Sequence, residues 1–409
     1  MSKTSVDHTC MVIRKILRVY GFDPAIFDRF SKQQRRLICL LKAESPRFRV
    51  EEGHRVPGRL VDFVAESTHR FLRNNCFGDE SVGLSFLELA TYGVAFSMVV
   101  MNARELGVLR PEQAEIFDRL VERFKDDRVN DDLIPVSTHI RQTVMMISKV
   151  NFRIYGYNWR FENKKGKSYI SSTVFLSSEE PKTIRFSYNG KDRTAFRVRA
   201  GRNISLPAYD AKIDRWFIFH KDEKPFVYLD IFIQSHALQR AKERIDIFPA
   251  HQKNYYVMEP LLYMHRVAYT ISGRPLLECY TQDGDQVVRF GYFPFVIRNR
   301  RLIVMTFLPL VSEEVVEGAS LHRELGLQKE DTKFLEMDKL SFFLTVDFEQ
   351  IPVLKRALER TGIRHLMRYA AKHPDMQFRM NRQKTQLVKK FFERKAEYES
   401  TILNDMTNQ

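Results

Sequence analysis

The spacing of apolar residues changes at Asn151, and that change limits the folds open to this chain. Before it, apolar positions recur with the period of a helix. Val12, Ile13, Ile16, Leu17 and Tyr20 form one such set, broken by Gly21 and Asp23-Pro24. Leu37, Ile38, Leu40 and Leu41 predict a second helix, ended by Ser45-Pro46. Pro57 opens a third, with Leu60, Val61, Val64, Phe71 and Leu72 on its apolar side and Gly78 beyond its end. Ser85 to Leu106 is the most apolar run and reads as a central helix. Pro111 begins another at its first turn, and a last helix runs from about Val136 to Val150. Short connections between helices of this kind predict a helical bundle over 1–150.

From 151 to 233 the pattern is strands and turns. Ser171–Leu176, Thr183–Tyr188, Ala195–Arg199, Trp216–Phe219 and Phe226–Ile233 are β-branched or aromatic runs. Lys164-Lys165-Gly166-Lys167, Asn189-Gly190, Ala200-Gly201 and Lys221-Asp222 punctuate them. Asn-Gly followed by more strand is the clearest hairpin signal, because both residues tolerate positive φ. Basic and aromatic residues interleave here. Lys164, Lys165, Lys167, Arg197, Arg199 and Arg202 are the candidate phosphate contacts, beside Tyr155, Trp159, Phe186 and Tyr188. Such a surface can track phosphates with charge and stack bases on rings. An antiparallel sheet with aromatics in its core and a solvated basic face gives the same sequence.

Residues 234–312 predict a helix followed by turn-linked strands. Ser235 is the expected N-cap. Ala237, Ala241 and Ile245 repeat at i, i+4 and i+8, with Leu238 beside them, so that side can pack on a sheet. His236, Arg240 and Arg244 repeat the same spacing along the edge of that face. An imidazole and two guanidiniums suit an anion: the first can move a proton near neutral pH, and the others bind phosphate without losing charge. A solvated basic face with Glu243 as a partner is the plainer reading. After His251–Tyr263, the runs Arg266–Ile271, Pro275–Tyr280, Gln286–Tyr292, Phe295–Ile297 and Leu302–Leu308 predict an antiparallel meander. Residues 313–409 return to helix, with Phe342–Phe348 as an added strand. The last helix, Asn381–Ser400, has Leu387, Val388, Phe391 and Phe392 as its apolar spine. The fold class is therefore α+β, in four segments: 1–150, 151–233, 234–312 and 313–409.

Charge narrows the function. Lys and Arg number 66 against 51 Asp and Glu, a net charge of +15. That excess favours a polyanion, RNA over DNA, and secondarily an anionic membrane surface. The four cysteines form no CxxC pair, which argues against a thiolate zinc site or a disulfide framework. No apolar run approaches the ~20 residues of a spanning helix, and charged residues interrupt the N-terminus as a leader would not tolerate. A cytoplasmic protein without integral membrane association, metal or cofactor is expected. Walker, dinucleotide, HExxH and Gly-x-Ser-x-Gly motifs are all missing.

The helix reads His236-Ala237-Leu238-Gln239-Arg240-Ala241-Lys242-Glu243-Arg244 and precedes the meander. In this, residues 226–310 resemble the barnase/EndoU/colicin/RelE-like group of metal-independent ribonuclease toxins. The likeness lies with members that carry a His-Ala-x-x-Arg-x-x-Glu-Arg helix. The resemblance implies a metal-independent endoribonuclease. His236 would then be the general acid or base, Arg240 and Arg244 would hold the phosphate, and Thr306 would hydrogen-bond a non-bridging oxygen. Arg289, in the third meander strand, is a further candidate for the phosphate. Two other readings stand beside it. One is a non-catalytic nucleic-acid-binding protein using the same residues as phosphate contacts. The other is a structural or protein-interaction role with the N-terminal bundle as docking module.

Overall fold

The structure is a computed structural model that describes residues 3–32, 35, 42–101, 114–124, 131–163, 169–198, 211–214, 226–263, 266–283, 286–372 and 381–407. It is an α+β protein with helices at both ends and sheets between them. The chain gathers into two units. The first holds Met1–Ile147, Tyr155–Glu179 and Gly201–Pro207, and the second holds Ser148–Ile154, Glu180–Ala200 and Ala208–Gln409. The segment read as 151–233 is thus shared between the units.

In the first unit, helix α1 (Lys3–Val19) buries Val12, Ile13, Ile16 and Leu17, as their spacing predicts. Asp23 then accepts the Ala25 N–H at 2.9 Å and starts a 3-10 turn at Pro24. Helix α2 (Gly58–Asn74) follows Pro57. Ser85 and Glu88 form a reciprocal capping box, and one wide i→i+5 turn over Leu89–Gly93 leads into α3 (Val94–Met101). Helices α4 (Ala114–Phe124) and α5 (Ile134–Ile147) complete the described helices. The unit is not purely helical. Strands β1 (Lys42–Ala43) and β2 (Arg47–Val50) flank β4 (Tyr169–Glu179) in parallel, and β3 (Ile154–Asn163) also pairs with β4. Strands this short have no periodicity to read, and their ladder partner lies far along the chain. The helix expected at Leu37–Leu41 falls outside the described residues, as do Lys164–Lys167 and Trp216–Phe219.

The second unit is built on one sheet. Its strands are β5 (Thr183–Tyr188), β6 (Lys191–Arg197), β7 (Ala211–Asp214), β8 (Phe226–Gln234), β9 (Val267–Tyr269), β10 (Pro275–Asp283), β11 (Gln286–Arg298), β12 (Arg301–Val304) and β13 (Leu308–Pro309). The order is β5-β6-β8-β12-β11-β10-β9, with β7 on β8 and β13 on β11. The β5–β6 hairpin turns at Asn189 (φ 49) and Gly190 (φ 70), the two positive-φ residues a type I′ turn requires. Strands β9 to β12 form the expected antiparallel meander. However, Gln286–Arg298 is one continuous strand and not two, because it changes partner from β10 to β12 after Pro294.

Strand β8 is parallel to β12. Parallel neighbours need a crossover, which here runs through α6 (Ser235–Arg244), α7 (Ala250–Tyr263) and strands β9 to β11. Ala237, Leu238 and Ala241 of α6 are buried, as the i, i+4 pattern predicts. Ser235 is not a cap: it is the first helical residue, and the N-cap Gln234 makes no side-chain capping bond. Gln234 instead lies within the sheet, where Arg193 Nη1 donates to its Oε1 at 3.1 Å.

The chain closes with α8 (Val316–Leu325), α9 (Lys329–Phe334), α10 (Leu340–Thr345), α11 (Pro352–Arg360), α12 (Arg364–Lys372) and α13 (Arg382–Thr407). Phe342–Phe348 is not a strand. Asp246 accepts both the Ser341 N–H (2.8 Å) and its Oγ–H (2.6 Å), which anchors the first turn of α10. Tertiary capping of this kind overrides the β preference of an aromatic run.

Candidate anion-binding site

Two glycines bring the walls of the site together. A Cβ on Gly291 would lie 2.4 Å from Leu308 O and 2.6 Å from the Phe307 ring, so only glycine lets β13 cross β11 this closely. A Cβ on Gly318 would lie 1.9 Å from Ser312 O, so α8 can start against the Pro309–Ser312 turn only with glycine there. Together they place Thr306 to Glu314 opposite α6 and beside α8 and α9.

The space enclosed is a cavity of about 340 Å³ lined by Arg240, Arg244, Thr306, His322, Lys329, Lys333 and Asp338, among others. Three of the residues predicted from sequence therefore converge. Arg244 pairs with Asp338 at 2.8 Å, with both side chains largely shielded from water. Burial pushes the Asp338 carboxyl above its ordinary value, against the pull of Arg244. Glu313 pairs with Lys329 at 3.4 Å, and Glu314 with Arg274. Every acid lining the cavity thus has a cation. Arg240 and Lys333 have no ion pair among the described residues, although Arg240 also pulls on the Asp338 carboxyl, so cations exceed acids at the cavity wall.

His322 was not singled out from sequence. Its Nδ1 lies 3.2 Å from Leu327 O and its Nε2 3.1 Å from Val311 O. Both ring nitrogens thus face backbone carbonyls, which fixes the ring in the cavity wall. Lys333 and His322 reach the cavity from α9 and α8, remote in sequence from the His-x3-Arg-x3-Arg helix, so no local spacing links them to it.

The other predicted residues lie elsewhere. His236 is exposed, does not line the cavity, and its side chain makes no hydrogen bond among the described residues. Arg289 is held inside the fold: Glu317 Oε1 is 2.7 Å from Nη1, Glu278 Oε1 is 3.3 Å from Nη2, and the Tyr292 hydroxyl accepts at 2.8 Å. Two carboxylates neutralise it, so Arg289 braces β10, β11 and α8 and has no charge to spare for a phosphate. Arg197 is not on an outward face. Its guanidinium is 13% exposed and pairs with Asp230 at 2.5 Å. The register places it across from Phe232, in a small apolar cluster with Ala195 and Ile303. Lys164, Lys165, Lys167, Arg199 and Arg202 lie outside the described residues.

The same sheet face carries a second basic group near the hairpin tip. Arg193 and Arg298 each sit 5.8 Å from the centre of the Tyr188 ring, and Arg301 sits 5.8 Å from that of Phe232. Arg298 donates to Ser187 O at 2.7 Å, and Arg301 stands opposite Asp230 in the β8–β12 ladder.

No protein-family model, curated protein or solved structure matches the chain. Among the described residues, no helix is long and apolar enough to cross a membrane, and no three His, Cys, Asp or Glu side chains group as metal ligands would.

Proposed function

We propose that this protein binds RNA, with the cavity under α6 as a seat for a phosphate group. The carrying observation is that Arg240 and Lys333, which have no ion pair among the described residues, line the cavity with Thr306, where every lining acid is already paired with another cation. A phosphate entering there would meet a guanidinium, an ammonium and a hydroxyl donor without displacing an internal ion pair. The net charge of +15 supplies long-range attraction. Arg193 and Arg298 around the half-buried Tyr188 offer the mix of charge and ring face that suits a single strand.

The ribonuclease reading extends this one. In it, His236 moves the 2′-hydroxyl proton while Arg240 stabilises the charge on phosphorus. Its support is the shared helix edge: His236 stands one turn before Arg240. The binding reading is the better supported, because a general base is usually oriented by a partner, and His236 has none among the described residues.

The test is fluorescence anisotropy with labelled single-stranded RNA over a salt series, for the wild type, Arg240→Glu and Lys333→Glu. Each variant should bind more weakly at all sequences, and each lost phosphate contact should reduce the salt slope by about one. Unchanged affinity in both variants would remove the cavity from the interface. The same RNA incubated in EDTA with wild type and His236→Ala separates the two readings: cleavage lost in the variant assigns the proton transfer to His236. Binding without cleavage leaves a binding module.

A further inference from the structure

Helix α13 carries two apolar stripes, and only one of them is covered. Val388 and Phe392 are buried. Leu387, Phe391 and Tyr398 recur at i, i+4 and i+11 on an adjacent face, with Arg394 at i+7 between them. Leu387 is 46% exposed and Tyr398 68%. Across from them, at the end of α9, Phe334 is 62% exposed. These side chains line a groove of about 500 Å³ between α9 and α13. Exposed large apolar residues that gather in one concavity mark an interaction site, whereas singly scattered ones do not. Aromatic anchors of this kind carry most of the energy of protein interfaces.

The rim identifies the occupant. Lys390 and Arg394, one helical turn apart, both line the groove and have no acidic partner among the described residues. Lys395 lines it as well and donates to Gly326 O at 2.6 Å. The one acid lining the groove, Asp331, accepts the Gln328 N–H at 2.7 Å and so serves the start of α9. An apolar floor with a cationic rim complements an amphipathic helix that carries Leu or Phe on one face and Glu or Asp beside it. A second copy of this chain fits poorly, because a twofold contact here would set Lys390 and Arg394 against their own counterparts. A bilayer surface fits poorly too, since a flat interface cannot fill a concave groove.

We infer that the α9–α13 groove is a docking site for an acidic amphipathic helix of a partner protein. This site shares helix α9 with the phosphate seat but none of its lining residues, and its partner is a peptide and not a nucleic acid.

The experiment uses the full chain and a fluorescein-labelled synthetic peptide of about 18 residues, long enough to hold a helix. The peptide has Leu and Phe at i, i+3, i+4 and i+7 and Glu at the flanking positions. A second peptide has Lys in place of every Glu. Saturable binding of the Glu peptide, with far weaker binding of the Lys peptide, is expected. Phe334→Ala combined with Tyr398→Ala should weaken it at least about tenfold while leaving every charge in place. Lys390→Glu combined with Arg394→Glu should shift preference toward the Lys peptide. All four side chains are exposed or rim positions, so circular dichroism and the thermal midpoint should not change.

Binding that survives the aromatic double variant would overturn the proposal, because the peptide would then be reading net charge alone. No saturable binding at about 1 mM, the weak end of specific recognition, would overturn it as well. So would retention on phosphatidylserine vesicles, or sedimentation as a dimer, if either is lost in the Phe334/Tyr398 variant. RNA binding measured alongside should be unaffected by the aromatic double variant, so failure of either proposal leaves the other standing.

Discussion

Replacing Gly318 by Ala tests the packing that builds the candidate site. Gly318 lies in the first turn of α8, and an added Cβ would sit 1.9 Å from Ser312 O, 2.5 Å from its carbonyl carbon and 2.7 Å from its nitrogen. A normal C···O approach is about 3.3 Å, so backbone must move by roughly 1.4 Å. No flexible side chain can absorb that shift. Ser312 is held from both sides: its N–H donates to Pro309 O at 3.0 Å, and its carbonyl accepts the Val315 N–H at 3.1 Å. Overpacking costs about 1–3 kcal/mol, and loss of one such hydrogen bond about 1 kcal/mol. The gain in helix propensity on going from Gly to Ala offsets about 1 kcal/mol. The net loss should be about 1–3 kcal/mol, or about 2–12 °C in the thermal midpoint of a unit this size. Displacing α8 also pulls Glu317 from Arg289 and His322 from the cavity, so RNA affinity should fall together with stability. The control is Gly58→Ala, at the start of α2, where an added Cβ meets nothing within 4 Å. That variant should be neutral or slightly more stable. Differential scanning calorimetry reads both, and a Gly318→Ala midpoint equal to or above the wild type would refute the reasoning.

Three further outcomes follow from named contacts. Glu317→Ala removes the acceptor shared by Arg289 and the Tyr292 hydroxyl and leaves a half-buried guanidinium with Glu278 alone. Urea unfolding should show a loss of about 2 kcal/mol, below the ~3–5 of a fully buried pair because Arg289 retains one partner and some water. Arg300→Gly should stabilise by about 0.5–1 kcal/mol, since Arg300 occupies φ 58 in the β11–β12 turn, a conformation that glycine adopts without strain. Hydrogen bonds from Lys339 and Lys384 push the Glu336 carboxyl from its ordinary 4.5 down to about 2. A depressed carboxylate contributes stability above its unfolded value and loses it as pH falls toward the folded one. Glu336 is nearly half exposed, so the contribution is small, well under ~1 kcal/mol. The stability gap between wild type and Glu336→Gln should therefore be present at neutral pH and close as pH falls from 4.5 toward 2.

Local chemistry made much of the architecture legible. Helical spacing in Val12–Leu17 and Ala237–Ala241 named the buried faces of two helices, because side-chain direction along a helix is fixed by its own geometry. Asn189-Gly190 named a hairpin, because the turn demands positive φ at both residues. The meander could be read from its short turns, which leave no room for a crossover. The His236, Arg240, Arg244 edge was equally visible as a repeat.

What each charge does could not be read this way. Arg289 and Arg240 are both arginines near apolar residues, yet one is neutralised by Glu278 and Glu317 and the other is not. Those carboxylates arrive from another strand and from α8, and no spacing near Arg289 announces both. Arg197 follows the alternation of its strand, but Asp230 on β8 waits on the face it enters. Phe342–Phe348 carries a strand's composition, and Asp246, far upstream, makes it begin as a helix. The spine of α13 was read as one stripe, and packing covers only Val388 and Phe392. Local sequence specifies the type of most elements and the face each helix buries, because those depend on bonds and side chains within a few residues. The tertiary structure decided ladder partners, ion pairs and the convergence of Arg240, Lys333 and Thr306, because electrostatic neutralisation and burial depend on distance in space between segments the chain keeps far apart.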